Sequence, residues 1–416
     1  MTDDAAKAAI RRGAALALAV TGSLVLTACG GDGEAASGEG NGNGDGLEAS
    51  WATTPAPSGE YDGALPAPRL WVAESTVVVA GTAGVTAYDR ASGEPGWELP
   101  APDGAGELCA ASDSTNAAGV GALLYAAADD PESCSVVVAV DAGGEGQPLW
   151  TGTMPSEGSS YGAEIFVGDE AITASNGDVA QFSIEGEPVA LPEVPGGPEC
   201  VDGADWTASA SHLFALSDCG TFGDAYQLSA FPTAGGEALW TLENASEDYR
   251  LANGMPGDLP TLRTSDDLLV TFGETGEPVS EVPADNGTDE WDFSPALHLS
   301  LVQGATLLAG SLTMSVDGGE GAAYDLATGE EIWREPLPSL YDLFPGTDGA
   351  LLMDGDGIGT ATGVIAFEVD PATGSRTELG AITDLPTAAT VVDGTLYALL
   401  HDEEEDTTSV EAYPLS

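Results

Sequence analysis

Basic side chains are nearly missing from this 416-residue chain. Nine lysines and arginines face 69 aspartates and glutamates, a formal net charge of −60. Lysine occurs once, at Lys7. Nucleic acid and anionic membrane surfaces would be repelled by so much charge of one sign, so any partner favoured by charge is cationic. A solvated surface suited to a salty medium would carry the same excess. Histidine is almost as scarce, and His212, His298 and His401 lie far apart with no metal or triad signature beside them. Neither a Gly-x-Ser-x-Gly elbow nor a His-Glu-x-x-His pair occurs. Carboxylate pairs single nothing out among so many acids. No catalytic residue, metal site or cofactor is therefore expected.

Cysteine is limited to five positions, no two of them adjacent or spaced Cys-x-x-Cys, which argues against a tetrathiolate zinc site. Four of them, Cys109, Cys134, Cys200 and Cys219, allow three pairings. Proximity favours Cys109–Cys134 and Cys200–Cys219, each flanking a turn region between strands. Such bonds require an oxidising compartment.

The fifth cysteine has a different setting. Lys7, Arg11 and Arg12 precede an apolar run, Gly13 to Val25, of 13 residues. That is short of the about 20 residues needed to cross a bilayer, and fits an export signal. Leu26-Thr27-Ala28-Cys29 comes next, and resembles the lipobox of bacterial lipoprotein precursors. The resemblance implies cleavage before Cys29 and lipidation of its sulfur, on the extracytoplasmic face of the cell membrane. The remaining chain would hold 67 acids, six arginines and no lysine. Residues 1–28 are thus read as signal peptide and 29–62 as a flexible tether. Eight of the seventeen residues from Gly30 to Gly46 are glycine, and Pro55 and Pro57 interrupt the rest of the tether.

From residue 63 onward the chain consists of short apolar bursts bounded by Gly, Asp and Pro. Thr76 to Ala80, Ser135 to Val140 and Ala305 to Ala309 are examples. Runs of this length, rich in β-branched residues and punctuated by turns, read as strands. The body, 63–416, is all-β.

The bursts repeat. Asp89, Gly93 and Trp97 recur as Asp325, Gly329 and Trp333, with Gly four and Trp eight residues after Asp. Asp141, Gly144 and Trp150 form a looser copy. Gly236 and Trp240 keep the spacing with Pro232 for Asp, whereas Asp370 and Gly374 keep it without Trp. Physically, the Asp carboxylate accepts from the turn's amides, the glycine takes a positive φ, and the indole packs on a neighbouring unit. Units centred near Trp97, Trp150, Val189, Trp240, Val279, Trp333, Thr377 and Tyr413 give a period of about 45 residues, one four-stranded blade. Eight blades are expected, with seven as the alternative. A strand from residues 60–68 would complete the last blade, which lacks a Trp strand of its own.

These motifs resemble the PQQ-like, quinoprotein-type β-propeller repeat over residues 65–416. The general plan is similar to that of the propeller lipoprotein of outer-membrane barrel assembly, and the composition resembles that of high-GC actinobacteria. The resemblance implies a non-catalytic scaffold binding a protein in the cell envelope, with membrane contact through the lipid anchor alone. Two alternatives are a sensor of a small ligand or glycan and a quinone-dependent dehydrogenase. The last is disfavoured because the enzymes of this type resemble one another in a disulfide between adjacent cysteines. Tyr249, Arg250, Arg263 and Trp291, in the stretch that keeps the repeat least, are the candidate binding rim. The acidic runs 354–357 and 402–406 lack a full calcium ligand ladder and read as solvated hairpin tips.

Overall fold

The computed structural model describes most of residues 46–415; the longest internal stretches outside it are 58–67, 156–162, 220–224, 284–297, 312–318 and 356–363. The signal peptide and Cys29 lie outside the described residues.

Eight antiparallel sheets succeed one another along the chain. They form an eight-bladed β-propeller. Blade 1 is built from Arg69–Val72, Thr76–Gly81, Gly84–Asp89 and Pro95–Pro100, each strand pairing with the next. Blades 2 to 7 repeat that plan over 105–153, 164–189, 205–245, 253–283, 298–337 and 341–382. Blade 8 takes Pro386–Val392, Thr395–Asp402 and Thr407–Pro414 from the end of the chain. Its outer edge comes from the beginning, with Trp51–Ala52 and Ala56–Pro57 both antiparallel to Thr407–Pro414.

This closure corrects the expectation that residues 60–68 would complete the blade. The closing strand lies earlier, inside the segment read as tether. Ser50 and Thr53 reinforce it: Ser50 donates to the Ala412 carbonyl, and the Thr53 hydroxyl accepts from the Val410 amide at 2.9 Å. Completing the ring this way leaves fewer unpaired strand edges for another chain to join.

The apolar bursts are continuous, not alternating, because both faces of each sheet are buried. Val77 packs with blade 8 while Val78 packs with blade 2. Leu307 and Leu308 divide in the same way between blades 5 and 7. Eight apolar clusters result, one at each junction between adjacent blades. The core is a ring of interfaces around the axis.

Both expected disulfides form. Cys109 and Cys134 join the first and third strands of blade 2, across the second. Cys200 and Cys219 tie the approach to blade 4 to the end of that blade's second strand. They indicate an oxidising, extracytoplasmic setting. Among the described residues no helix is long and apolar enough to cross a membrane.

Candidate functional site

The repeat residues act where one blade meets the next. Asp89 Oδ1 accepts from the Ala91 and Ser92 amides and from the Ser92 hydroxyl, and these bonds hold its pKa below the usual carboxylate range. Asp325 accepts from Ala327 and Thr328, Asp370 from the Ala372 amide and Thr373 hydroxyl, and Asp141 from Gly143. One carboxylate in each case fixes the residues of its turn.

The turn then receives the indole of the preceding blade. Trp51 lies over Gly93, where an added Cβ would come within 2.4 Å of the ring, and its Nε1 donates to the Arg90 carbonyl at 3.1 Å. Trp150 repeats this on Gly186 and the Ile184 carbonyl, and Trp333 on Gly374 and the Pro371 carbonyl. Trp240 covers Gly276 and Trp97 covers Gly146. In blade 2, therefore, Gly146 at φ 75° takes the role expected of Gly144. The tryptophan that blade 8 lacks in its own sequence is Trp51.

Two of the junctions without an indole show what replaces it. Val189 stands in the Trp position of blade 3, opposite Gln181, with Gly235 of the next blade as its neighbour. In blade 5 the position belongs to Ser280, one residue past the Val279 near which the unit is centred. Ser280 pairs with Thr271, and a register shift leaves Val279 as the bulged residue. The Ser280 hydroxyl donates to the Leu326 carbonyl, the bond that the indoles of Trp51, Trp150 and Trp333 make at their junctions. Ser280 supplies the polar half of that contact and sets only its small side chain against Gly329.

The bulge has a second effect. One extra residue faces away from the junction just before the Trp position. Leu149, Val279 and Ile332 occupy it and are 47%, 41% and 39% exposed, and Leu239, directly before Trp240, is 49% exposed. On blades 4 to 6 this produces an open, largely apolar groove of about 460 Å³. Leu239 and Trp240 of blade 4, Phe272, Gly273 and Val279 of blade 5, and Ala327 of blade 6 line it. Glu274 and His212, whose Nδ1 lies 2.8 Å from the Ser211 hydroxyl, line it as well.

A second polar group lies on the inner strands of blades 1 to 3. Arg69 opens the inner strand of blade 1 and pairs with Asp113, just beyond the inner strand of blade 2, at 2.9 Å. Glu164 opens the inner strand of blade 3. Burial, helped by the Asp113 charge, pushes its carboxyl up to about 7. No cluster of three His, Cys, Asp or Glu side chains fit to hold a metal ion occurs among the described residues.

Of the four expected rim residues, Tyr249 and Arg263 are among the described residues. Tyr249 sets its ring edge-on against Phe272, with centroids 5.6 Å apart, in the blade 4–5 core. Arg263 ends the short strand Thr261–Arg263 and is half-buried. Arg250 and Trp291 lie outside the described residues, as do Asp356, Gly357 and 403–406 of the acidic runs. His298 begins the strand His298–Gln303.

No known protein-family profile matches the chain, and no characterised protein matches its sequence. Among solved structures it is similar to the quinohemoprotein alcohol dehydrogenase from Comamonas testosteroni, with a TM-score of 0.48 and 12% identity over 88% of this chain and 76% of that one. A europium-containing methanol dehydrogenase gives 0.49 and 11% over 89% and 93%. A chain of the mitotic checkpoint complex gives 0.46 and 11% over 89% and 96%. At such identity these likenesses concern the fold. The residues present do not fit a quinone clamped by neighbouring cysteines and a free indole: both disulfides join distant cysteines, and the repeat tryptophans are occupied between blades. This chain is an eight-bladed β-propeller of mostly four-stranded blades.

Proposed function

We propose that this chain is a non-catalytic, extracytoplasmic lipoprotein whose propeller is a scaffold for binding another protein of the cell envelope. Lipid on Cys29 holds it at the membrane, and no nucleic acid or cofactor takes part. One observation carries the reading. The residue types that would otherwise suggest chemistry have structural work: four cysteines in disulfides, the repeat aspartates in turns, and the repeat tryptophans between blades. A large rigid surface remains, and with it a strong negative charge that attracts cationic partners.

Cross-linking of the full-length protein in its native membranes tests this. A protein partner recovered in fixed proportion, and lost at high salt, is the expected result. Dye-linked dehydrogenase activity on addition of quinone and calcium would replace the scaffold with an enzyme. Thermal stabilisation by a small molecule or glycan, with no cross-linked protein, would replace it with a ligand sensor.

A further inference from the structure

We infer that the groove across blades 4 to 6 is the docking site for a basic segment of a partner protein that inserts an aromatic side chain. The inference rests on the scaffold reading and specifies where and how the partner binds. Its first support is the repeat itself. Five blade junctions hold an indole against a turn glycine, and the fold is adapted to that contact. At the blade 5–6 junction Ser280 makes the hydrogen bond to Leu326 and sets only its small side chain against Gly329. Val279 and Ala327, the chain neighbours of Ser280 and Leu326, line the groove.

Its second support is the groove's lining. Two of the four large apolar side chains left exposed among the described residues, Leu239 and Val279, face it from neighbouring blades. Trp240 and Phe272, with ring centroids 5.1 Å apart, give it an aromatic wall. A cavity of about 460 Å³ falls within the range that buries a ring with its flanking atoms. Aromatic anchors in such pockets dominate binding.

The third support is charge. No lysine or arginine lines the groove among the described residues. Glu274 is part of it, while the exposed Glu237 and Glu277 belong to the two adjoining turns. A chain of net charge −60 adds a long-range field that draws in lysine- and arginine-bearing segments and repels acidic ones. Apolar depth and an acidic rim together select an aromatic residue with basic neighbours.

The test uses the full-length protein and a short fluorescent peptide with a central tryptophan between lysines. Binding is measured by anisotropy at low and moderate salt. The peptide should bind wild type and bind at least about tenfold more weakly to the Leu239→Asn/Val279→Asn variant. Leu149→Asn, at the equivalent exposed position of blade 2, should bind as wild type does. Equal binding by the groove variant would overturn the proposal, as would equal binding of a peptide with alanine in place of tryptophan. Native partner capture separates this from the scaffold reading. A partner that cross-links equally to wild type and the groove variant removes the groove and leaves the scaffold. Groove-dependent peptide binding with no native partner supports the groove and removes the scaffold.

Discussion

Arg90 donates from Nε to the hydroxyl of Tyr397 at 2.9 Å, across the junction where the first blade meets the last. The same guanidinium reaches Asp393 at 2.8 Å and the Val392 carbonyl at 3.3 Å. Its own carbonyl accepts from Trp51. One arginine thus joins blade 1 to two chain segments of blade 8, the blade that is built from both ends of the chain. Arg90→Ala should lower stability by about 2 kcal/mol, since it leaves several polar partners without their donor. Tyr397→Phe should cost about 1 kcal/mol. Thermal unfolding of both variants checks this, and a loss no greater than that of Arg376→Ala would mean the seam does not limit stability.

Trp51 brings the indole of the closing strand, and that strand pairs through two short stretches. Trp51→Ala should cost about 3 kcal/mol and should increase amide exchange in Thr407–Pro414 before it does so elsewhere. Uniform exchange across the blades would show that closure does not depend on the indole.

The two disulfides close 25- and 19-residue separations. In the chain-entropy model each stabilises by about 3 kcal/mol. Replacing Cys109 and Cys134 together by serine should lower the unfolding temperature by several degrees while leaving the fold intact. An unchanged transition in the reduced wild type would argue against this.

Glu164 gives stability a pH dependence. Its carboxyl titrates near 7 in the fold, above its unfolded value, because burial and Asp113 disfavour the charge. A folded pKa raised above the unfolded one means that the native state holds the proton more tightly. Stability from this group is therefore full below about pH 4.5 and is lost as pH rises towards 7. Glu164→Gln should match wild type at pH 4 and exceed it by roughly 2 kcal/mol at pH 8. Parallel stability curves for the two proteins across that range would refute the assignment.

Self-repulsion at a net charge of −60 predicts a salt response. Added salt shortens the range of repulsion among exposed carboxylates. The unfolding temperature should climb from low to high ionic strength, first steeply and then to a plateau. A flat response would show that the acids are spaced widely enough not to interact.

Much of this architecture was legible in the sequence because its signals are local. A carboxylate, a glycine and an indole at fixed spacing define a turn within a dozen residues. Recurrence at about 45 residues then defines a blade, and strand-length bursts without alternation imply sheets buried on both faces. The eight blades and both cysteine pairings arise from such short-range patterns.

Long-range contact decided the rest. The closing strand is set by pairing between Trp51 and Ala412, and two-residue strands carry no periodic signature of their own. Val279 and Ser280 differ by one place in the chain, yet the bulge turns one outward and seats the other on Leu326. Tyr249 reads as a free rim aromatic until Phe272 is found against it. Composition and local turn chemistry determined what each unit is. Only the packing of blade on blade decided which side chains are buried and which groove stays open.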